Sequence, residues 1–99
     1  MSEAIRHVRV RGQVQGVGFR MFVEDAAALH GVAGWVRNRR DGSVEAVFAG
    51  APEAVRAVVE ACRRGPRGGW VEALDENEGN AELLARRGPG ERFSVLRTE

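Results

Sequence analysis

The chain contains no lysine, and all fifteen of its basic residues are arginine. That absence excludes lysine Schiff-base chemistry and the phosphate-loop lysine that a nucleotide-hydrolysing Walker motif needs. Tyrosine is missing too, which removes phenolic acids and nucleophiles. A single cysteine, Cys62, rules out an internal disulfide framework and agrees with a reducing compartment. No apolar run comes near the roughly 18 residues of a membrane span. The opening MSEAIRHVRV is charged throughout and lacks a signal peptide's apolar centre, so the cytoplasm is the expected location. A net charge of +1 supplies no bulk pull toward nucleic acid or a membrane surface.

The residues that could carry covalent or metal chemistry are sparse and badly placed. Cys62 falls on an apolar helical stripe, which reads as a buried, inert thiol. A phosphatase-type cysteine would want an arginine six residues on, where Gly68 stands. Neither Ser43 nor Ser94 sits in a G-x-S-x-G elbow. His7 and His30 have no second histidine or cysteine at ligand spacing, so no metal site is expected. His7 reads as a solvent-face strand residue, and His30 as a helix-end residue favoured by the dipole.

What is present has the composition of an ordinary globular domain of 99 residues, 43% hydrophobic and 29% charged. A single domain is expected over residues 5–97. Residues 5–12 alternate Val8 and Val10 against Arg9 and Arg11, the period of a half-exposed strand. Residues 20–30 are rich in helix formers, with Phe22, Val23, Ala26, Ala27 and Leu29 read as one apolar face and Gly31 as the stop. Residues 32–38 and 43–49 read as strands joined by Arg39-Arg40-Asp41-Gly42, whose Asp-Gly is a hairpin signal. A helix over 52–64 opens on Pro52 and sets Val55, Val58, Val59 and Cys62 on one stripe before Gly65-Pro66 ends it. Residues 70–74 and 92–97 have strand character, and 75–91 read as a loop. The order is strand, helix, strand, strand, helix, strand, with one possible further strand at the C-terminus. It predicts an α+β, ferredoxin-like βαββαβ sandwich: an antiparallel sheet with two helices packed on one face.

One segment stands apart, GQVQGVGFR at 12–20. Between a strand and a helix, Gly16 and Gly18 allow backbone N–H groups to turn inward around an anion. The helix N-terminus adds unpaired donors and partial positive charge at the same place. Arg20 lies at the end of the helix where a cation costs about 0.3–1 kcal/mol unless an anion compensates. Its planar fork suits a bidentate grip on phosphate. On this segment alone, an ordinary tight turn with a surface arginine fits equally well. Asn38, at a strand end, reads most simply as a turn residue, but its amide can also hold a water by accepting one of its protons. Arg37, Arg39 and Arg40 read as a solvated, anion-attracting rim, and Trp35 as packing.

GQVQGVGFR at 12–20 and GWVRNRRDGSVEAVFAG at 34–50 resemble the two signature segments of acylphosphatases. The likeness runs over nearly the whole chain, including the Gly-Pro after the second helix and the closing FSVLRTE. It implies a ferredoxin-like fold and hydrolysis of acyl phosphates to carboxylate and inorganic phosphate. It implies that the loop Gln15, Gly16, Val17, Gly18, Phe19 and Arg20 cradles the phosphate, with Arg20 binding it and Asn38 positioning the attacking water. No metal, cofactor or covalent intermediate is implied. The expected partners are the small acyl phosphate and inorganic phosphate, as product and inhibitor, with neither nucleic acid nor membrane. A monomer that stands alone is expected. Residues 75–91 are longer and more charged than a minimal family member carries there.

The reading from another class is a ferredoxin-like module that binds RNA or a small anion. FRMFVE faintly resembles an RNA-recognition motif, yet that motif places its aromatics on the third strand, where only Phe48 stands. The near-neutral charge opposes it as well.

Overall fold

A computed structural model describes residues 3–99. The elements run β1 (Ala4–Gln13), α1 (Phe19–His30), β2 (Ala33–Asn38), β3 (Val44–Gly50), α2 (Pro52–Arg64), β4 (Trp70–Glu78), α3 (Ala81–Leu84) and β5 (Phe93–Val95). The sheet order is β4-β1-β3-β2-β5. The chain thus adopts the expected ferredoxin-like βαββαβ arrangement with one further strand. That last strand departs from the antiparallel rule, because β5 pairs with β2 in parallel, Gly34 opposite Phe93 and Val36 opposite Val95. The reason is topological: β4 and β5 occupy opposite edges, so the chain must cross the sheet before it can add a strand.

Strand alternation divides the side chains between two faces. Val8, Val10, Val36, Val44, Ala46 and Phe48 point toward α1 and α2 and join Val55, Val58, Val59 and Cys62 in the core. Each valine so buried contributes about 1.5 kcal/mol or more relative to exposure. On α1 the buried residues are Phe19, Val23 and Ala27, spaced by four. Leu29 does not belong with them and is 80% exposed. Six residues beyond Val23, it has turned roughly 240° around the helix.

The opposite face of the sheet carries a second, smaller core. Trp35 and Val47 are register partners, both fully buried but outside the cluster under the helices. The segment 79–92, which crosses to β5, covers them, and the Trp35 indole N–H donates to the Leu83 carbonyl at 2.7 Å. This cover explains why every residue of β3 is buried. Next to Trp35, Arg37 lies 4.9 Å over its ring and donates to Glu45 at 2.9 Å. Arg37 is therefore a buried ion-pair partner and no part of a solvated rim. His7 also differs from its expected place in solvent: its Nε2 lies 2.6 Å from Glu45 Oε2, one strand away.

Residues 75–91, expected to be a loop, hold regular structure. β4 continues to Glu78, opposite Arg6 on β1. Asp, Asn and Glu are poor strand formers, but here the acidic run faces the arginines of β1. Arg11 meets Asp75 at 2.9 Å and Arg6 meets Glu76 at 2.8 Å. Asn80 then caps α3, its side chain accepting from the Leu83 N–H at 2.9 Å. No described helix is long and apolar enough to cross a membrane.

Candidate active site

Between β1 and α1 the chain turns through residues 14–18. Val14 and Phe19, 1% and 2% exposed, anchor the two ends of this loop in the core. Gly16 and Gly18 hold φ values of 75° and 78°. An L side chain there costs about 1–2 kcal/mol in backbone strain. No atom lies within 4 Å of a Cβ built at either position, so the demand for glycine comes from the dihedral and not from crowding.

Gly18 is also the N-cap of α1, and no side chain caps that helix or places a carboxylate in its first turn. The first backbone bond runs from the Phe22 N–H to the Gly18 carbonyl, at 3.0 Å. From Gln15 to Met21, the backbone N–H groups find no acceptor, backbone or side chain, among the described residues. Such a run of unpaired donors at a helix start is an anion-binding arrangement. The other helices differ, since α2 carries Glu53 in its first turn and α3 has its Asn80 cap.

Asn38 ends β2 and follows Val36 by two residues, so its side chain faces the same side of the sheet as the helices. A cleft of about 370 Å³ lies there, lined by Val14, Gly16, Gly18, Phe19, Arg20, Met21, Glu24, Asn38 and Val95. Arg20 and Asn38, far apart in sequence, thus border one cavity. Arg20 makes no ion pair or side-chain hydrogen bond among the described residues, whereas Arg6, Arg9, Arg11, Arg37, Arg39 and Arg63 all have carboxylate partners. The Asn38 amide likewise has no protein partner among them.

Gln15 contributes differently. Its side-chain amide donates to the Arg39 carbonyl at 2.7 Å and to the Ser43 carbonyl at 2.8 Å. These two bonds bolt the glycine loop to the β2–β3 hairpin. Neither Gln15 nor Val17 lines the cleft with its side chain; Val17 packs on the core. What either can offer an anion is its backbone N–H. The hairpin itself is an Asp41 turn, with Asp41 Oδ1 accepting from the Ser43 hydroxyl at 2.6 Å and the Ser43 N–H at 2.9 Å. Those two bonds, the hydroxyl's foremost, hold the Asp41 carboxyl below its ordinary range.

Four lining residues were not legible as such: Val14, Met21, Glu24 and Val95. Met21 and Glu24 follow Arg20 at positions one and four, a helical spacing that would have placed Glu24 beside it. Val95 comes from β5, and no local pattern announces it. The other candidate groups lie elsewhere. Burial in α2 pushes the Cys62 thiol up to about 12, His7 sits on the far face of the sheet, and His30 is exposed at the end of α1.

The likeness seen in the motifs extends to whole proteins. A family model described as Acylphosphatase matches residues 6–87. An acylphosphatase of Rhodopseudomonas palustris strain BisB18 is 56% identical over 98 residues, a match that covers 99% of each chain. The crystal structure of acylphosphatase from Bacillus subtilis, 38% identical, superposes with a TM-score of 0.79 over 93% of this chain and 97% of that one. An acylphosphatase structure from Coxiella burnetii, 31% identical, gives 0.82 over 95% and 93%. With motifs, fold and full-length relatives in agreement, the chain belongs to the acylphosphatase family, enzymes that hydrolyse acyl phosphates to carboxylate and phosphate.

Proposed function

We propose that the cleft beside Arg20 and Asn38 is where this hydrolysis takes place, by direct attack of water on phosphorus. The observation that carries the reading is the convergence of unsatisfied groups. The backbone amides from Gln15 through Arg20, the Arg20 guanidinium and the Asn38 side-chain amide lie at one end of the sheet, and none of them has a partner among the described residues. A phosphoryl group supplies what they lack: acceptor oxygens for the N–H groups and negative charge for an arginine at a helix N-terminus.

In this reading the backbone cradle and Arg20 hold the non-bridging oxygens and absorb charge as the phosphoryl group transfers. Asn38 Oδ1 accepts a hydrogen bond from one O–H of a water, which keeps that proton, and leaves the water's lone pair aimed at phosphorus. The new P–O bond forms as the bond to the acyl oxygen breaks, and the electron pair leaves on the carboxylate. The water's second proton passes to a phosphate oxygen. A carboxylate is a good leaving group, so positioning and charge stabilisation suffice and no nucleophilic side chain is required.

Acetyl phosphate turned over in ¹⁸O water with EDTA present tests this. Label is expected in phosphate and not in acetate, with inorganic phosphate a competitive inhibitor. Arg20→Ala and Asn38→Ala should each lose roughly 10²–10³ in rate, and Arg20→Ala should weaken phosphate inhibition as well. Full activity in both variants, or label in acetate, would overturn the assignment.

A further inference from the structure

We propose that Arg39 is a positioning residue for this hydrolysis: its ion pair with Glu45, on the face of the sheet away from the cleft, sets the direction of the Asn38 amide. The inference rests on the water placement proposed for Asn38. Asn38 closes β2 with its side chain toward the helices, and the side chain of Arg39, the next residue, goes to the opposite face. There its Nη1 lies 3.3 Å from Glu45 Oε1. Glu45 is a fixed anchor, 3% exposed and held as well by Arg37 Nε at 2.9 Å and His7 Nε2 at 2.6 Å. The Arg39 backbone is tied the other way. Its carbonyl accepts from the Gln15 amide of the glycine loop at 2.7 Å, and its N–H donates to the Ser43 carbonyl at 2.8 Å. One residue thus links the loop beside the cleft to the charged network on the far face.

The Asn38 amide borders the cleft, and its direction follows from the backbone that carries it. That backbone is bonded in the plane of the sheet. Asn38 stands opposite Val44 on β3, and its carbonyl accepts from the Glu99 N–H at 3.3 Å on the other side. Such in-plane bonds resist sliding of a strand but oppose its rolling about its own axis only weakly. A side chain anchored on the opposite face opposes that rolling directly, and rolling is the motion that swings Asn38 Oδ1. Loss of the Arg39 charge leaves Glu45 its two other partners, so no buried charge is orphaned and the cost falls on the direction of Asn38. An ion pair that served only as surface decoration would touch stability slightly and turnover not at all.

Arg39→Met keeps the apolar stem and removes the charge. It should lower kcat for acetyl phosphate about tenfold, part of the roughly 10²-fold that a misplacement of about 1 Å can cost. The inhibition constant of inorganic phosphate should change by less than about twofold and the urea midpoint should stay near that of the wild type, a split that a merely structural role would not give. Arg39 meets Glu45 through a single nitrogen and not a bidentate fork, so Arg39→Lys should recover most of the lost kcat. In an Asn38→Ala background, Arg39→Met should lower kcat no further, because no amide is left to direct. Wild-type kcat in Arg39→Met overturns the proposal, as do equal losses in kcat and phosphate inhibition. So does a lysine variant as slow as the methionine one, or an additive loss in the double variant. Asn38→Ala alone separates the two levels. If it keeps full turnover, the water placement has failed; if it loses roughly 10²–10³ while Arg39→Met turns over normally, only the positioning has.

Discussion

Gly18 occupies a left-handed conformation with φ 78° and ψ 21° and is the cap of α1. Space is free around it, so replacement by alanine isolates the backbone cost from any steric one. Gly18→Ala should lower the denaturant midpoint by the equivalent of about 1–2 kcal/mol. On the proposed phosphate placement it should also lower phosphate release, because relaxing the dihedral would turn the Phe19 and Arg20 amides away from the phosphoryl group. Urea unfolding and acetyl phosphate turnover measured on one preparation check both halves; wild-type values in each would mean that the left-handed cap is not needed. Residues of this kind are the most legible in a sequence. A glycine required by its dihedral cannot be exchanged without strain, and an arginine at a helix start calls for an anion. Met21 and Val95 are different, since a partly exposed apolar side chain reads as an ordinary surface residue until the fold shows the cleft it borders.

At the scale of elements, the loop and the hairpin act as one unit through Gln15. Its two hydrogen bonds go to carbonyls that already accept other backbone donors, Gly42 N–H on Arg39 and Arg39 N–H on Ser43. Removing the amide therefore leaves no buried carbonyl orphaned, and Gln15→Leu should cost only about 1–2 kcal/mol of stability. The catalytic loss should be larger in kcat, about tenfold, than in the inhibition constant of phosphate. On the proposed placement phosphate meets the loop alone, whereas a water held by Asn38 would need loop and hairpin in register. Steady-state kinetics with phosphate as inhibitor separate the two; equal loss in both would make Gln15 merely structural. The helices and the hairpin were legible because their periods and turn residues are local. β4 beyond Leu74 was not, because the run Asp75-Glu76-Asn77-Glu78 opposes strand formation by its own propensity and is rescued by distant arginines, Arg6 and Arg11 on β1 and Arg63 on α2. The capped helix α3 was lost in the same stretch, being too short to show a period.

Over the whole molecule, the two faces of the sheet differ in what they hold. The helix face carries the cleft, and the opposite face carries a charged network centred on Glu45, 3% exposed, with His7, Arg37 and Arg39 around it. Of the three arginines that read as a rim, Arg37 is the one the fold buries, because its partner Glu45 stands on the neighbouring strand, outside any local pattern. Burial pushes the Glu45 carboxyl up, but hydrogen bonds from His7 and Arg37, with their charges, outweigh it and hold the group below its ordinary 4.5. The folded value thus lies below the unfolded one. Glu45 then contributes stability that is fully present above the unfolded value and is lost as pH falls through the folded one. Glu45→Gln at neutral pH leaves Arg37, 8% exposed, without its countercharge, and should cost about 3 kcal/mol. In acid the wild-type carboxyl takes up a proton and becomes nearly isosteric with the glutamine amide. The difference between the two proteins should therefore shrink steadily below the ordinary carboxylate range. Urea midpoints of both, followed from about pH 7 to about pH 3, give the comparison. A gap that stays constant over that range would show that Glu45 stabilises the fold by packing and not by charge.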